Sequence, residues 1–339
     1  MNLSSGKTGC HHVEVRRLGP DAVEVTWEAE TADFGCSIHV SRNPNHFDRQ
    51  NAIRVKGETG ARLSGLDPDC RHYFEILSDS GQRVVTALRR VDLERSVNFR
   101  DLGGYENSEG RRTKWGQVFR SDSLARLTER DRSCLGRLGL RLVVDFRSRT
   151  EVAREPDRLP DHHVPEYVNL PIQTSALNYV AALEQARHGE NPEGTADRMI
   201  ADYIKNIDAF ADQWRTFFQY MAQVAKRPMV FHCTGGKDRA GTGAALVLLA
   251  LDVPEETVIE DHQLSNVYIA DLWPKVRQRL ENSGIDSGKM KPYFTAPREA
   301  MTALLEHLYK AYGSPMNYLR AEVGVSDETL SRLRSELLE

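Results

Sequence analysis

The chain of 339 residues has only five cysteines, and no two of them are spaced as Cys-x-x-Cys. This absence argues against a zinc ribbon and a dithiol redox centre, because both need closely spaced pairs. So low a cysteine density also argues against a scaffold held together by disulfides. We therefore expect free thiols, in a reducing compartment, at Cys10, Cys36, Cys70, Cys134 and Cys233.

Long apolar runs and an excess of one charge are missing as well. The longest strongly apolar stretch, residues 244–251, is far shorter than the ~20 residues that cross a bilayer. The first residues contain no apolar segment of the signal-peptide kind. Lys and Arg number 45 against 49 Asp and Glu, a net charge of −4, which disfavours partners bound through bulk charge. We expect no integral membrane segment, no nucleic-acid partner, and a location in the cytoplasm or delivery into another reducing compartment.

Short strands are predicted throughout the first 90 residues. Val23, Val25 and Trp27 alternate with polar residues, which is typical of a strand with one buried face. Turn residues such as Asn43-Pro44-Asn45 and Asp79-Ser80-Gly81 separate the strands. Many short strands at even spacing indicate an antiparallel β-sandwich.

A resemblance supports this prediction. Trp27 in an early strand, Leu66-Asp67-Pro68, and Tyr73 at the head of a later strand resemble a fibronectin type III module. The resemblance implies a fibronectin type III-like all-β sandwich over residues 1–90. Such a domain can act as a spacer or recognise a ligand, and the sequence names no partner for it.

Strands and helices alternate after residue 90, which indicates an α/β domain with a partly parallel sheet over residues 91–339. Buried strands are predicted at 140–146, 167–172 and 229–233. Helices are predicted at 124–138 and 239–251, in an insertion at about 176–225, and over most of the chain after residue 254.

The residues with the clearest chemistry form the segment MVFHCTGGKDRAGTG, residues 229–243. An apolar strand there runs into a turn that begins a helix, so backbone N–H groups and the positive end of the helix dipole create an anion site. The same field stabilises Cys233 as a nucleophilic thiolate. Gly235 and Gly236 let the backbone approach a ligand closely, and the planar fork of Arg239 can hold two phosphoryl oxygens.

These residues can neutralise a transferring phosphoryl group without a metal ion, so we expect no metal and no cofactor. Lys237 adds a second cation that attracts multiply phosphorylated substrates, and His232 orients the loop through hydrogen bonds. Arg147 is expected to form a structural ion pair with a residue such as Glu151.

The spacing Cys-x5-Arg, preceded by His232 and followed by Gly241, resembles the cysteine-based protein tyrosine phosphatase superfamily. Further segments are similar to the bacterial and fungal tyrosine phosphatases with a GKDR loop, which resemble both protein and phosphoinositide phosphatases. These segments are Asn98-Phe99-Arg100-Asp101-Leu102-Gly103-Gly104-Tyr105, Phe119-Arg120-Ser121-Asp122, Val144-Asp145-Phe146-Arg147-Ser148 with Glu151, and Asn169-Leu170-Pro171-Ile172. The resemblance covers roughly residues 91–339 and implies the tyrosine phosphatase fold.

The family implies a phosphate monoester hydrolase with a phosphocysteine intermediate. Cys233 would attack phosphorus, Arg239 would bind the transferring oxygens, and Asp238 would be the acid, with Asp101, Asp122 and Asp145 as alternatives. Phosphotyrosine is the leading substrate. Activity on phosphoserine and phosphothreonine as well (dual specificity), or on phosphoinositides, is kept as an open alternative. The residues expected to bind substrate are Thr234, Gly235, Gly236, Lys237, His232, Arg100 and Asp101.

Ala240 departs from the family pattern, because Ser or Thr usually follows the arginine and its hydroxyl donates to the leaving thiolate. We therefore expect slowed dephosphorylation of Cys233. The departure keeps one alternative open, a catalytically weak module that binds phosphorylated ligands. A sulfurtransferase or redox protein is a second alternative, against which Arg239 and the Asn98–Tyr105 segment argue.

Overall fold

A computed structural model describes residues 10–173, 183, 185–188 and 196–339. It divides the chain into two compact units, residues 1–91 and 92–339. Part of the insertion expected at about 176–225 lies outside the described residues. No helix of the described ranges is long and apolar enough to cross a membrane.

The first unit consists of two antiparallel sheets. One has the strand order β1-β2-β5 and the other the order β4-β3-β6-β7. The strands are β1 (Cys10–Gly19), β2 (Ala22–Ala29), β3 (Gly35–Ser41), β4 (Ile53–Lys56), β5 (Gly60–Leu63), β6 (Tyr73–Ser78) and β7 (Arg83–Ala87).

The alternating residues of β2 explain how the two sheets pack. Val23, Val25 and Trp27 are buried, and they share one core with Ile38 of β3 and Phe74 of β6. Since β2 and β3 belong to different sheets, the two sheets face each other as a β-sandwich with this apolar layer between them.

The second unit is built on a five-stranded sheet with the order β11-β10-β12-β9-β8. Its strands are β8 (Arg100–Asp101), β9 (Val118–Ser121), β10 (Leu142–Asp145), β11 (Glu166–Asn169) and β12 (Met229–His232). The pairs β10–β11, β10–β12 and β12–β9 are parallel, whereas β8 pairs with β9 antiparallel. The carboxyl ends of β9, β10 and β12 therefore meet at one edge, where loops can assemble a site.

Helices flank the sheet and continue to the C-terminus. They are α1 (Glu129–Leu138), α2 (Arg149–Arg154), α3 (Ala196–Asp208), α4 (Ala211–Met221), α5 (Arg239–Ala250), α6 (Glu255–Ile269), α7 (Trp273–Asn282), α8 (Ser287–Met290), α9 (Arg298–Tyr312), α10 (Pro315–Ala321) and α11 (Asp327–Leu337).

The helix expected from residue 124 begins instead at Glu129, and the reason is a cap. Thr128 accepts the backbone N–H of Asp131, while the Asp131 side chain accepts the backbone N–H of Thr128. This reciprocal capping box satisfies two helix-end donors and fixes the first turn.

Helix α5 lies at the centre of the core, because every one of its residues is buried. Gly243 leaves space on α5 for large neighbours, since a Cβ there would lie 3.2 Å from Phe146 and 3.4 Å from Trp214. The ring centroids of Phe146 and Trp214 are 5.1 Å apart in an edge-to-face arrangement. This packing fixes the beginning of α5 directly behind the loop that follows β12.

Candidate active site

Residues 233–239 connect β12 to α5 and are called here the cysteine loop. Cys233 lies at its floor with 2% exposure, and the backbone N–H of Gly236 donates to its Sγ at 3.3 Å. Gly236 has a left-handed φ of 69°, and a Cβ there would lie 2.5 Å from the backbone nitrogen of Asp122. Glycine is therefore required at this position for both conformation and space.

The carbonyl groups of the loop are held on its outer side. Asn98 Nδ2 donates to the carbonyl of Gly235 at 3.0 Å, and Arg120 Nη2 donates to that of Gly236 at 2.8 Å. Because the C=O and N–H of a trans peptide unit point in opposite directions, each outward carbonyl turns the following N–H inward. The contact from Gly236 N–H to sulfur shows the result, a cup of donors suited to an anion.

Arg120 in turn is fixed by Asp261 of α6. Arg120 Nη1 donates to one carboxylate oxygen of Asp261, and Arg100 Nε donates to the other at 3.1 Å. All three side chains are buried. Burial alone would raise the pKa of Asp261, but Arg100 and Arg120 outweigh it and hold this pKa well below its usual range.

Arg239 is oriented by Glu151. Its Nη1 and Nη2 donate to the two carboxylate oxygens of Glu151 at 2.8 and 2.9 Å, and Nη2 also donates to Thr234 Oγ1 at 3.1 Å. Glu151 is itself fixed by Ser148, whose backbone N–H it accepts as part of the α2 capping box. The bidentate geometry holds the guanidinium over the loop.

The pKa of Glu151 reflects this pairing. Burial alone would raise it, but the hydrogen bonds and charge of Arg239 outweigh burial and hold the pKa well below its usual range. The structural ion pair expected for Arg147 is present, but its partners differ from Glu151, the acid given as an example. Arg147 Nη2 donates to Asp145 at 2.8 Å and to Asp157 at 2.7 Å.

His232 lies beneath the cysteine loop with 0% exposure. Its Nε2 is 2.8 Å from Asp157 Oδ2, and its Nδ1 is 3.3 Å from the carbonyl oxygen of Cys233. Burial alone would lower the pKa of His232, but Asp145 and Asp157 outweigh it and raise the pKa. His232 therefore supports the loop from behind through hydrogen bonds, as one of the two roles considered for it requires, and it is not among the residues that line the pocket with Cys233.

Asp145, Asp157 and His232 are close enough to be considered as metal ligands, with candidate ligand atoms within 4.8 Å of one another. The guanidinium of Arg147, however, already lies between the two carboxylates. A cation is thus in place, and the cluster does not fit a metal ion.

Asp238 stands at the beginning of α5 and lines the pocket beside Cys233. Its Oδ1 accepts from Lys237 Nζ at 2.7 Å and from the hydroxyl of Tyr203 at 2.8 Å. Sequence reasoning missed Tyr203 as a site residue, since an aromatic residue at helical spacing is usually core. Tyr203 is indeed fully buried, and its distance of 35 residues from Asp238 along the chain gave no local signal.

The three alternative carboxylates are committed elsewhere. Asp122 lines the pocket, but it accepts from the Ser96 hydroxyl and from the backbone N–H groups of Val97 and Asn98. Burial nonetheless raises its pKa. Asp101 accepts the N–H groups of residues 103 and 116, and Asp145 pairs with Arg147.

Arg100 and Asp101 lie outside the pocket that Cys233 lines, so the structure corrects the expectation that they bind substrate. Both are 0% exposed, and both hold other parts of the protein in place. Arg100 Nη2 donates to the carbonyl of Asp261 at 2.8 Å. Their role is to support the loop through Asp261 and through the turns beside β8.

The pocket around Cys233 has a volume of about 590 Å³. The cysteine loop forms its polar side, with Thr234, Gly235, Lys237 and Arg239 among the lining residues. An apolar wall from the α6–α8 region faces it and contains Ile269, Leu272, Val276, Leu280, Ile285 and Phe294. Arg126, Arg187 and Arg279 also line the pocket, so it suits a molecule with an anionic end and an apolar body.

The residue after Arg239 offers no hydroxyl to the cysteine. Ala240 is fully buried. Thr242 Oγ1 donates to the carbonyl of Asp238 at 3.2 Å and accepts from Asn206 Nδ2 at 3.3 Å. The Thr242 hydroxyl is thus used within the helix region and does not replace the missing donor.

The chain is similar to known phosphatases. Residues 91–339 match the model of a family described as the tyrosine phosphatase family. A putative tyrosine-protein phosphatase of Cupriavidus necator is 28% identical over 243 residues, covering 71% of this chain and 85% of the relative. The triple specificity protein phosphatase PtpB of Mycobacterium tuberculosis is 28% identical over 276 residues, covering 73% of this chain and 98% of the relative.

Among solved structures, the FN5 domain of Drosophila Lar matches at 17% identity. The match covers 23% of this chain and 91% of that domain, with a TM-score of 0.19. At this TM-score the likeness carries no argument about the fold.

Proposed function

This chain belongs to the tyrosine phosphatase family, and we propose that it hydrolyses phosphate monoesters through a phosphocysteine formed on Cys233. The family and its named relatives make the chain a phosphoric monoester hydrolase of the protein tyrosine phosphatase kind. The observation that carries the covalent step is the position of the sulfur. It lies at the floor of the cup of N–H donors and accepts from Gly236 at 3.3 Å.

In the first step the Cys233 sulfur attacks phosphorus while the bond to the leaving oxygen breaks. The loop N–H groups and the Arg239 guanidinium stabilise the phosphoryl oxygens, whose charge is spread in the transition state. Glu151 keeps Arg239 in the geometry that two oxygens require. Thr234, Gly235, Gly236 and Lys237 complete the set of loop residues that we assign to substrate binding.

Asp238 serves as the acid in this proposal. Its support is its place in the pocket beside Cys233, together with the commitment of the other candidate carboxylates to internal donors. It protonates the leaving oxygen in the first step. In the second step it accepts a proton from the water that hydrolyses the phosphocysteine.

Phosphotyrosine is the substrate that the pocket fits first, since the apolar wall opposite the loop can pack against an aromatic ring. Dual specificity extends this proposal to phosphoserine and phosphothreonine, and Lys237 with the pocket arginines extends it to phosphoinositides. The name of the mycobacterial relative, a triple specificity phosphatase, supports breadth of this kind.

We also propose a domain organisation. Residues 1–90 form a fibronectin type III-like sandwich, supported by the three- and four-stranded sheets and the buried Trp27. Residues 91–339 form the catalytic domain. The sandwich serves as a spacer or recognises a ligand.

The test is turnover of p-nitrophenyl phosphate in the presence of EDTA, with Cys233→Ser as the matched control. Wild type is expected to turn over the substrate, and quenched reactions should contain a phosphorylated protein that Cys233→Ser lacks. An active Cys233→Ser variant would contradict the covalent mechanism.

Ala240 favours a second candidate, a module that binds phosphorylated ligands with little turnover. Binding of a phosphotyrosine peptide to wild type without release of phosphate would support that candidate. A panel of phosphopeptides and inositol phospholipids then ranks the substrate classes.

A further inference from the structure

We propose that Tyr203 is a positioning residue for proton transfer, and that its hydroxyl holds Asp238 in place through one carboxylate oxygen. The inference rests on the proposed function, because it assigns a role within that reaction. Tyr203 belongs to α3 and is 0% exposed. Its hydroxyl donates to Asp238 Oδ1 at 2.8 Å.

The two oxygens of Asp238 have different surroundings. Oδ1 accepts from both Tyr203 and Lys237, whereas no residue that the structure describes bonds to Oδ2. The Asp238 side chain is 12% exposed and lines the pocket. With Oδ1 occupied by two donors, a proton on the carboxyl group resides on Oδ2, where it can reach a substrate oxygen.

His262 of α6 defines the direction of the Tyr203 hydrogen bond. Its Nε2 is 3.5 Å from the Tyr203 hydroxyl, and the two rings meet edge to face at 5.6 Å. Burial and the nearby Arg120 lower the pKa of His262 to about 3, so the ring is neutral at physiological pH. Its Nδ1 has no hydrogen-bond partner within the described ranges.

A neutral ring that carries its proton on Nε2 donates to the Tyr203 oxygen and leaves the phenol proton for Asp238. Burial and Asp238 both raise the pKa of Tyr203 well above its usual value. Tyr203 therefore remains a phenol and a donor throughout the working pH range, and it does not itself carry the transferred proton.

The charged and titratable groups around Asp238 come from several elements. They are Cys233, Lys237 and Arg239 of the loop region, Arg120 of β9, Tyr203 of α3 and His262 of α6. Removal of the Tyr203 hydroxyl deletes one donor to the carboxylate and leaves the others in place. The variant therefore changes how the carboxylate is held without changing the charges around it.

The proton balance of the reaction defines the test. When the bond between phosphorus and the leaving oxygen breaks, its electron pair goes to that oxygen, which receives the Oδ2 proton of Asp238. In the second step water attacks phosphorus, the electron pair of the S–P bond returns to sulfur, and Asp238 recovers a proton from the water. A misplaced Asp238 slows the first step most when the leaving group is a poor one.

Tyr203→Phe is the test variant, and Tyr318→Phe is its matched control. The Tyr318 hydroxyl is also buried and also bonds to α3, donating to the carbonyl of Ile207 at 2.8 Å. We expect Tyr203→Phe to lower kcat/KM for a phosphotyrosine peptide about tenfold. For difluoromethylumbelliferyl phosphate, whose leaving group needs no proton, the loss should stay below about twofold.

A double variant supplies a second readout. Introduced into Asp238→Asn, Tyr203→Phe should cause little further loss, because the group that it positions is already gone. Equal losses on both substrates, or losses in Tyr203→Phe no larger than those in the Tyr318→Phe control, would overturn the inference.

The outcome is separable from that of the proposed function. If the wild-type protein turns over neither substrate, the proposed function is refuted. If the wild-type protein is active and Tyr203→Phe behaves like the Tyr318→Phe control, only the role of Tyr203 is refuted. If Tyr203→Phe does not fold, His262→Gln carries the test, because it disturbs the phenol from the opposite side. His262→Gln should also lower kcat/KM more for the phosphotyrosine peptide than for difluoromethylumbelliferyl phosphate, by a smaller factor than Tyr203→Phe does. Equal losses on the two substrates would overturn the inference.

Discussion

Two arginine–carboxylate groups hold the cysteine loop, and they do so in different ways. The Glu151 anchor consists of Glu151, Arg239 and Thr234, and its carboxylate side chain is 27% exposed. The Asp261 anchor consists of Asp261, Arg100 and Arg120, whose side chains are all at most 1% exposed. The first orients Arg239, which we propose binds the substrate, whereas the second fixes main-chain carbonyls on the far side of the loop.

We infer from this difference that the Glu151 anchor serves the catalytic geometry of the loop and the Asp261 anchor serves its structural support. In the Glu151 anchor only the carboxylate side chain is partly exposed and keeps part of its hydration, whereas the Arg239 side chain is 7% exposed. In the Asp261 anchor a single carboxylate compensates two buried guanidinium groups, so its loss leaves both of their charges unpaired. We therefore expect damage to the Glu151 anchor to appear in activity and damage to the Asp261 anchor to appear in stability.

The largest effect is expected from Asp261→Asn. Burial and Arg100 lower the pKa of Arg120 to about 10, so Arg120 is still charged at neutral pH and would lose the carboxylate with which it pairs. Leaving both buried arginines uncompensated should reduce the free energy of unfolding by about 3–5 kcal/mol, measured by urea denaturation. The control is Asp212→Asn, an exposed pair with Arg215, for which less than about 1 kcal/mol is expected. Similar losses in both variants would contradict the contrast between the anchors.

Glu151→Gln should act on catalysis instead. The amide keeps the shape of the side chain but removes the charge that holds Arg239 bidentately. We expect kcat/KM for p-nitrophenyl phosphate to fall roughly thirtyfold, equivalent to about 2 kcal/mol of transition-state stabilisation. The urea midpoint should change less than in Asp261→Asn. Glu166→Gln, which breaks an exposed pair with Lys226, is the control, and unaltered kinetics of Glu151→Gln would remove the catalytic role of this anchor.

The local part of this site could be predicted from the sequence, and the long-range part could not. The cysteine loop contains Cys233, Arg239 and both glycines within seven residues. One strand–turn–helix segment is therefore enough to predict that these residues lie close together. The ion pair between Glu151 and Arg239 spans 88 residues and that between Arg120 and Asp261 spans 141. Ion-pair partners so far apart in sequence are determined by how strands and helices pack. Hydrophobic periodicity predicts the elements themselves but not their packing, so it does not identify these partners.

The fold shows the same limit. Alternation marked Val23, Val25 and Trp27 as one face of β2, and all three are buried. The partly parallel sheet expected after residue 90 is also present. The structural ion pair expected for Arg147 is present as well, but its partners are Asp145 and Asp157, whereas Glu151 pairs with Arg239.

Acid pH should sharpen the comparison between the anchors. Both Glu151 and Asp261 have pKa values lowered by their arginines. A carboxylate with a lowered folded-state pKa stabilises the protein above its unfolded pKa of about 4, and this stabilisation is lost as pH falls below that value. Urea denaturation between pH 7 and pH 3 should show this loss in wild type. Glu151→Gln removes one of these two carboxylates, so the free energy of unfolding should depend less steeply on pH, by up to about 1.4 kcal/mol per pH unit. An unchanged pH dependence would show that Glu151 titrates alike in the folded and unfolded states.

The smallest effect is expected at Ala240, which follows Arg239 and belongs to neither anchor. Its missing hydroxyl removes one charge-assisted donor to the thiolate that leaves when the phosphocysteine is hydrolysed, so this step should limit turnover in wild type. Ala240→Ser should speed breakdown of the intermediate by about tenfold or less, and the burst of p-nitrophenol seen with wild type should shrink. Ala245→Ser, a buried alanine further along α5, is the control for the effect of a hydroxyl in that helix. A steady-state rate that Ala240→Ser leaves unchanged would mean that the loop N–H groups and Arg239 already stabilise the leaving thiolate without a hydroxyl.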